Sequence, residues 1–465
     1  MEPVISVEDL ARFSIEAPRY TSYPTAADFG PEADGRAFRT ALAALAALAG
    51  DSAPLGLYVH LPFCREICHF CGCHALVART SARIDRYLSC LAAEAAAVGG
   101  VLGGRAVAEL HFGGGSPSFL DGADFERVMT SLHAAFTFAP AAAISLEADP
   151  RTTDLDKLRR YRALGVGRIS FGVQDLDEDV QRAIGRNQSR AVSLAAYEHA
   201  RAVGFAGVNL DLCYGLPGQT EATMAATIAD VLALRPDRVA LFGYAHVPWM
   251  KPMQRLIPAE SLPRADLRLR LVASARAAFT GAGYHAIGLD HFALPGDELA
   301  RAATEGTLHR NFQGYTATRT DALIGLGTSA ISDLPAGYFQ NQRNLGDYLR
   351  AVDAGGLATE RGVLRTRDDV VRGDIIRTLM CRGHLDLAEI ERRHELRFAT
   401  AFAAELAALR RLEDDGLLRL DLGAARLDLT PLGAVFVRNV ARVFDAHRRP
   451  ERERPGASPR FSVTV

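Results

Sequence analysis

An alternation constrains the fold of this chain more than any other feature. Between about residues 55 and 293, short β-type runs take turns with amphipathic helical stretches. The runs are Leu-Gly-Leu-Tyr-Val-His-Leu (55–61), Ala-Glu-Leu-His-Phe (108–112), Ala-Ile-Ser-Leu-Glu-Ala (143–148), Arg-Ile-Ser-Phe-Gly-Val-Gln (168–174), Val-Asn-Leu-Asp-Leu (208–212) and Arg-Val-Ala-Leu-Phe-Gly-Tyr (238–244). His-Ala-Ile-Gly-Leu (285–289) is a seventh candidate, and helical patterns lie between the runs at 83–97, 191–203, 220–234 and 265–280. Parallel strands cannot be joined by a tight turn and need a crossover, usually a helix. Repeated βα units therefore predict an α/β chain with a parallel sheet and outer helices, closed partly or completely into a (β/α) barrel. An open dinucleotide-binding sheet is disfavoured, because the first βα turn carries no Gly-x-Gly-x-x-Gly.

Polar residues fall where such a barrel does chemistry. A cysteine-rich loop follows the first run and Gly113-Gly114-Gly115-Ser116-Pro117 the second, while Glu147, Gln174 and Asp211 lie in the third, fourth and fifth. These are C-terminal strand ends, the face on which parallel barrels gather their active sites. A core role does not account for Glu147 and Asp211, since buried carboxylates need partners. A structural ion pair is the alternative for each.

Cys64, Cys68 and Cys71 have Cys-x₃-Cys-x₂-Cys spacing. Three thiolates on one short loop suit three corners of a 4Fe–4S cube and leave the fourth iron open to a ligand. Clusters that only shuttle electrons usually have four cysteines. Cys73 makes four cysteines in ten residues, enough for zinc, but structural zinc usually draws on two separated pairs. The chain has seven cysteines, with Cys90, Cys213 and Cys381 scattered. That odd, sparse usage fits a reducing compartment better than a disulfide framework.

Composition narrows the remaining classes. With 465 residues, 48% hydrophobic and 23% charged, the chain is globular, one large domain plus a smaller one. A net charge of −2 predicts no broad basic surface and no nucleic-acid partner. The first residues lack a basic n-region and an apolar h-region, so no signal peptide is expected. The Ala/Leu run at 41–49 is too short to span a bilayer. The expectation is a cytoplasmic monomer with no membrane partner.

Four segments are expected. Residues 1–34 form an arm kept extended by Pro18 and Pro24, and 35–293 form the barrel. Residues 294–365 read as a loop-rich connection contributing to the active site. Residues 366–465 show helical patterns at 368–380, 386–394 and 399–415, a hairpin about Gly423 (417–429) and a helical stretch at 431–447. That order resembles a winged-helix unit. Its terminal Arg448, Arg449, Arg452 and Arg454 are interleaved with Glu451 and Glu453, which favours a covering role over DNA reading.

The cysteine spacing resembles that of radical S-adenosylmethionine (SAM) enzymes. The likeness sharpens with Pro18-Arg19-Tyr20-Thr21-Ser22-Tyr23-Pro24-Thr25, Tyr58-Val59-His60, Cys71-Gly72-Cys73 and Gly172-Val173-Gln174-Asp175. It continues through Asp211-Leu212-Cys213-Tyr214-Gly215-Leu216-Pro217, Tyr244-Ala245-His246 and His309-Arg310-Asn311-Phe312-Gln313-Gly314-Tyr315, to Arg460-Phe461-Ser462. These resemble the oxygen-independent coproporphyrinogen III oxidase family over effectively the whole chain. Related haem-binding chaperones, the alternative reading, share the three-cysteine loop but generally lack the arm, the fourth cysteine and the His-Arg-Asn-Phe-Gln-Gly-Tyr segment.

The resemblance implies oxidative decarboxylation of two propionates of coproporphyrinogen III to vinyl groups, giving protoporphyrinogen IX. The means is a 5′-deoxyadenosyl radical made from SAM at a 4Fe–4S cluster held by Cys64, Cys68 and Cys71. It implies two SAM molecules. Tyr58, Phe70, Gly114, Glu147 and Ile331 would hold the cluster-bound one, and Gly115, Ser116, Gln174, Arg186, Asp211 and Ala245 the second. Cys73, Arg19, Tyr20, Arg310 and Gln313 are expected near the reacting centre. Arg19 and Arg310 are candidate donors to the tetra-anionic substrate, since guanidinium binds carboxylate bidentately. Ser116 and Ser118 stand where the family commonly has Thr; the hydroxyl is kept. A low-potential electron donor such as a flavodoxin or ferredoxin is implied.

Overall fold

The computed structural model describes residues 9, 12–48 and 54–448. One sheet of twelve strands dominates it. In chain order these are β1 (Leu55–Leu61), β2 (Ala106–Gly114), β3 (Thr137–Ala148), β4 (Arg168–Gln174), β5 (Gly207–Tyr214) and β6 (Arg238–Gly243). Then come β7 (His285–Ile287), β8 (His291–Ala293), β9 (Ala322–Leu326), β10 (Ile331–Leu334), β11 (Gly337–Asn341) and β12 (Thr359–Leu364). The spatial order is β12-β11-β10-β9-β1-β2-β3-β4-β5-β6-β8-β7. The pairs from β9–β1 through β5–β6 are parallel. Both flanks are antiparallel, and β12 and β7 end the order without pairing with each other. The barrel is therefore partial.

The six strands expected between 55 and 244 form. The seventh does not extend the βα series: β7 pairs antiparallel with β8 at the sheet's edge. The short Gly288–Asp290 link between them cannot hold the crossover that a parallel strand requires. The extra parallel neighbour is β9, from the segment read as loop-rich. That segment instead carries β9–β12, the helices Glu298–Glu305 and Leu345–Gly355, and a hairpin of His309–Asn311 with Gly314–Thr316. Its strands are short and lack clear alternation; β9 and β11 are buried throughout, so period-2 patterning was absent to begin with.

Helices start where short polar side chains can cap them. Asp34 accepts from the N–H groups of Arg36 and Ala37, Ser189 from Val192 and Thr366 from Asp369. One core fills the sheet and its outer helices. Glu94 on the helix Ser81–Leu102 ties that layer together, accepting from Gly327 N–H, Asn341 Nδ2 and Tyr348 Oη at 2.7, 2.5 and 2.8 Å. Burial pushes its carboxyl up to about 7.

A second core occupies the C-terminal segment and takes in Phe13, Tyr20 and Tyr23 of the arm. The helix Arg367–Arg382 and the hairpin of Leu418–Asp421 with Arg426–Leu429 form as expected. The stretch at 399–415 breaks at Phe402, and 431–447 is divided into short turns. Arg460-Phe461-Ser462, Arg449, Arg452 and Arg454 lie outside the described residues. No helix among the described residues is long and apolar enough to cross a membrane.

Candidate active site

The cysteine loop leaves β1 and is pinched at its neck. Phe63–Cys64 pairs with Leu76–Val77, and Leu76 N–H donates to Pro62 O at 2.7 Å. The glycine run after β2 lies along this neck, with Gly115 N–H on Leu61 O and Ser116 N–H on Phe63 O, both at 2.9 Å. A Cβ on Gly115 would sit 2.5 Å from Pro62 O, and one on Gly114, at φ 119°, would sit 2.8 Å from the His60 ring. The glycines thus let two backbones approach where no side chain fits.

Above the strand ends lies a cavity of about 510 Å³ lined by Cys64, Cys68, Cys71 and Cys73, and by Phe70, Gly115, Ser116, Glu147, Gln174, Arg186, Asp211 and Ala245. Most of the residues expected to bind cofactor, scattered over 180 positions of sequence, therefore meet in one space. Arg186 Nη1 lies 3.5 Å and Arg151 Nη2 3.9 Å from Cys68 Sγ. The hydrogen bond from Cys73 pulls the Cys71 thiol down to about 6, whereas burial pushes Cys64 up to about 12. Cys64, Cys68 and Cys71 face one cavity from a single short loop, the placement that three corners of a 4Fe–4S cube require.

Glu147 rests on a rack of aromatic rings. His111 Nε2 is 3.2 Å from Glu147 Oε1, and His111 Nδ1 meets Ser145 Oγ at 2.7 Å. Tyr58 stacks on His111 with centroids 6.0 Å apart and pairs with His60 Nδ1 at 3.0 Å. Burial holds His60 down at about 4, so it stays neutral. Asp211 accepts from Ser170 Oγ at 2.9 Å and Asn209 Nδ2 at 2.6 Å. Burial, reinforced by the nearby Glu147 charge, pushes it up to about 6. Neither carboxylate pairs with a lysine or arginine among the described residues. Gln174 is left-handed at φ 70°, where the β4–β5 register slips. A strained side-chain residue at a strand end marks a place where structure yields to function.

Other expected residues lie around this cavity. Gln313 and Asn311 line a second cavity, about 200 Å³, which shares Glu147, Ser170, Asp211 and Phe242 with the first. The two spaces adjoin. Ile331 starts β10, packed so tightly that a Cβ on Gly325 would lie 2.6 Å from Ile331 O. It does not line the cysteine cavity, nor does Tyr58, which acts from behind His111. Arg19 is ion-paired with Asp290, and its guanidinium lies 6.0 Å from the Phe242 ring. Its charge is already matched. Tyr20 donates to Asp445 Oδ2 at 3.0 Å, inside the C-terminal core. Ser116 Oγ meets Ser118 Oγ at 3.1 Å, and Ser118 Oγ accepts from Asp149 N–H at 2.8 Å. Asp175, part of a quoted motif, is structural: Gln219 Nε2 and Thr227 Oγ1 donate to it at 2.6 and 2.7 Å.

Sequence reasoning missed Arg151, His111, and the Lys251 and Gln254 that reach the cysteine loop. Lys251 Nζ donates to Cys73 O at 3.1 Å and Gln254 Nε2 to Phe70 O at 3.0 Å. Arg151 and His111 had a readable signal, since each lies in or just after a strand already identified. Lys251 and Gln254 follow β6, just before and within the short 3₁₀ turn Pro252–Leu256, and had none.

Comparison with known proteins adds an independent line. The radical SAM superfamily model matches residues 58–231 and the HemN C-terminal domain model residues 366–436. The chain is 43% identical over 440 residues to the oxygen-independent coproporphyrinogen III oxidase of Salmonella typhimurium, covering 95% of both chains. The Escherichia coli protein of the same name is 42% identical, again over 95% of both. The solved structure of the Escherichia coli coproporphyrinogen III oxidase, a radical SAM enzyme, superposes with a TM-score of 0.88 at 42% identity, over 92% of this chain and 98% of that one. With relatives of this identity spanning nearly its whole length, the chain belongs to the oxygen-independent coproporphyrinogen III oxidase family, within the radical SAM superfamily.

Proposed function

We propose that this chain converts two propionate side chains of coproporphyrinogen III to vinyl groups without oxygen, using one 4Fe–4S cluster and two SAM molecules. The observation that carries this reading is the single cavity joining the cysteine loop to Glu147, Gln174, Arg186 and Asp211. Cys64, Cys68 and Cys71 would hold the cluster. Cys73 is no ligand: its N–H donates to Cys71 Sγ at 3.4 Å, and it lies too close in sequence to reach a separate corner. When bound, the reduced cluster and SAM would supply a carbon radical able to take hydrogen from a propionate β-carbon; CO₂ would then leave and an external one-electron acceptor would take the remaining electron, giving the vinyl group.

The chain's own residues bind, orient and exclude water. Glu147, set by His111, accepts hydrogen bonds from the cluster-bound SAM. Asp211, set by Ser170 and Asn209, accepts from the second. Arg186 bridges Cys68 Sγ and Gly172 O, at 3.5 and 2.7 Å, so the cluster loop is braced on β4. The described residues of the arm (1–34) and of the C-terminal segment (366–465) share a core; with the connection (294–365) they would cover the barrel (35–293), a physical means of keeping water from the radical. A flavodoxin or ferredoxin supplies the electron, and the chain works as a cytoplasmic monomer without nucleic acid or membrane, in keeping with its net charge of −2.

Two anaerobic measurements test this. Incubation with coproporphyrinogen III, SAM and a reductant should yield protoporphyrinogen IX, read by mass after oxidation; absence of vinyl product rejects the activity. Equilibrium SAM binding should give two molecules per chain. One molecule would remove the role assigned to Asp211.

A further inference from the structure

A cavity of about 590 Å³ lies between the arm (Tyr20–Tyr23), the strand His309–Asn311 and the helix Arg367–Arg382. No residue of the cysteine loop or the glycine run lines it. Its cations outnumber its anions: six arginines face Asp333, Asp369 and Asp374. Those carboxylates are already engaged. Asp333 pairs with Arg365, and Asp374 is shared by Arg377, Arg393 and His394 at 2.7, 2.8 and 2.8 Å. Asp369 meets His447 at 2.6 Å.

Arg310 has no such partner. It is 8% exposed, lies 4.4 Å from the centre of the Tyr315 ring and donates from Nη2 to Arg19 O at 3.3 Å. Its Nε is buried without a hydrogen-bond partner, and no carboxylate pairs with it among the described residues. Arg319, on the same cavity and exposed, has no carboxylate partner among them either. Burying an unmatched guanidinium is costly, which is the mark of a place prepared for an anion. His309 reports the same field: burial, then Arg377, Arg319 and Arg382, hold it down at about 4.

We propose that Arg310 and Arg319 bind the two propionates of the substrate that the reaction leaves intact. This rests on the function proposed above. The reacting carbon must lie beside the cysteine cavity, and the arginine cavity touches neither the cysteine loop nor the glycine run, so carboxylates held there escape reaction. A third cavity, about 250 Å³, joins the two regions: it shares Arg310 and Arg319 with the arginine cavity, and Asn311, Thr316 and Thr318 with the interior cavity that adjoins the cysteine cavity. A tetrapyrrole anchored by one edge at Arg310 would thereby extend its opposite edge toward Gln313, Glu147 and Asp211.

The test is anaerobic binding to the cluster-loaded protein, followed by porphyrin fluorescence. Three non-reacting probes are used: coproporphyrin III with four carboxylates, protoporphyrin IX with the two that survive, and etioporphyrin with none. Arg310→Gln should weaken both acids alike, about ten- to a hundred-fold, and leave etioporphyrin unchanged. Arg319→Gln, at an exposed position that does not endanger folding, should weaken both acids severalfold. Cluster absorbance and SAM stoichiometry should not move. Wild-type affinity for both acids in Arg319→Gln and a folded Arg310→Gln would overturn the proposal, as would weakening of coproporphyrin III alone, since the cavity would then hold the reacting propionates. Should Arg310→Gln not fold, Arg319→Gln decides: unchanged affinity overturns. A wild type that forms no vinyl product rejects the parent reading instead, by a different measurement.

Discussion

At the residue scale the site depends on which groups hold their charge. Asp211 titrates near 6 because burial opposes its charge. Its folded value lies above the ordinary carboxyl value, so the stability linked to its neutral form is full below about pH 4 and is lost as pH rises through 6. A ligand donating hydrogen bonds to the carboxylate offsets that cost only where the carboxylate is charged. SAM affinity at the second site should therefore fall as pH drops below 6. Asp211→Asn should remove that dependence and weaken binding by about 1.5–3 kcal/mol at pH 8; calorimetry at several pH values checks both. Cys73 donates to Cys71 through its side chain and its backbone N–H, and a serine keeps both donors. Cys73→Ser should bind iron and sulfide as the wild type does, by direct assay, and loss of the cluster in that variant would refute the three-ligand assignment.

At the element scale, the approach of the glycine run to the neck of the cysteine loop sets where the sulfurs stand relative to β2 and β3. Gly115→Ala would place a methyl 2.5 Å from Pro62 O and 2.9 Å from Phe63 O, both backbone atoms that cannot swing aside. The neck must shift, at a cost of about 1–3 kcal/mol. Iron content and thermal midpoint should both drop. Gly72→Ala is the control, because nothing lies within 4 Å of the added carbon. It should leave iron content and midpoint unchanged although it sits between two cysteines. A reversed order of sensitivity would mean that loop flexibility, not backbone approach, governs assembly of the site.

At the scale of the whole molecule, the arm is built into the C-terminal core. Arg438 donates from Nε to Pro18 O at 3.0 Å and from Nη2 to Ala17 O, and Asn439 Nδ2 donates to Phe13 O at 2.9 Å. Arg438→Ala should cost about 2–4 kcal/mol and expose the arm to limited proteolysis, while iron content stays normal. Deleting residues 1–30 should likewise spare the cluster and abolish vinyl formation; equal product rates in the truncated and full-length proteins would show that the arm is dispensable. The sequence by itself determined the parallel core, because β1 to β6 carry their own apolar runs and crossover helices. It also determined the cysteine loop and the strand-end residues, because local spacing and the C-terminal ends of parallel strands fix where such groups must lie. Only the tertiary structure decided that β7 turns back and β9 completes the parallel set. Pairing partners are chosen by contacts distant in sequence, and short, wholly buried strands leave no periodic trace. The same holds for the two arginines named together as carboxylate donors. They look equivalent in sequence. Asp290, 271 positions away, neutralises Arg19, while no carboxylate among the described residues reaches Arg310, and a difference made by a distant partner has no local signature to read.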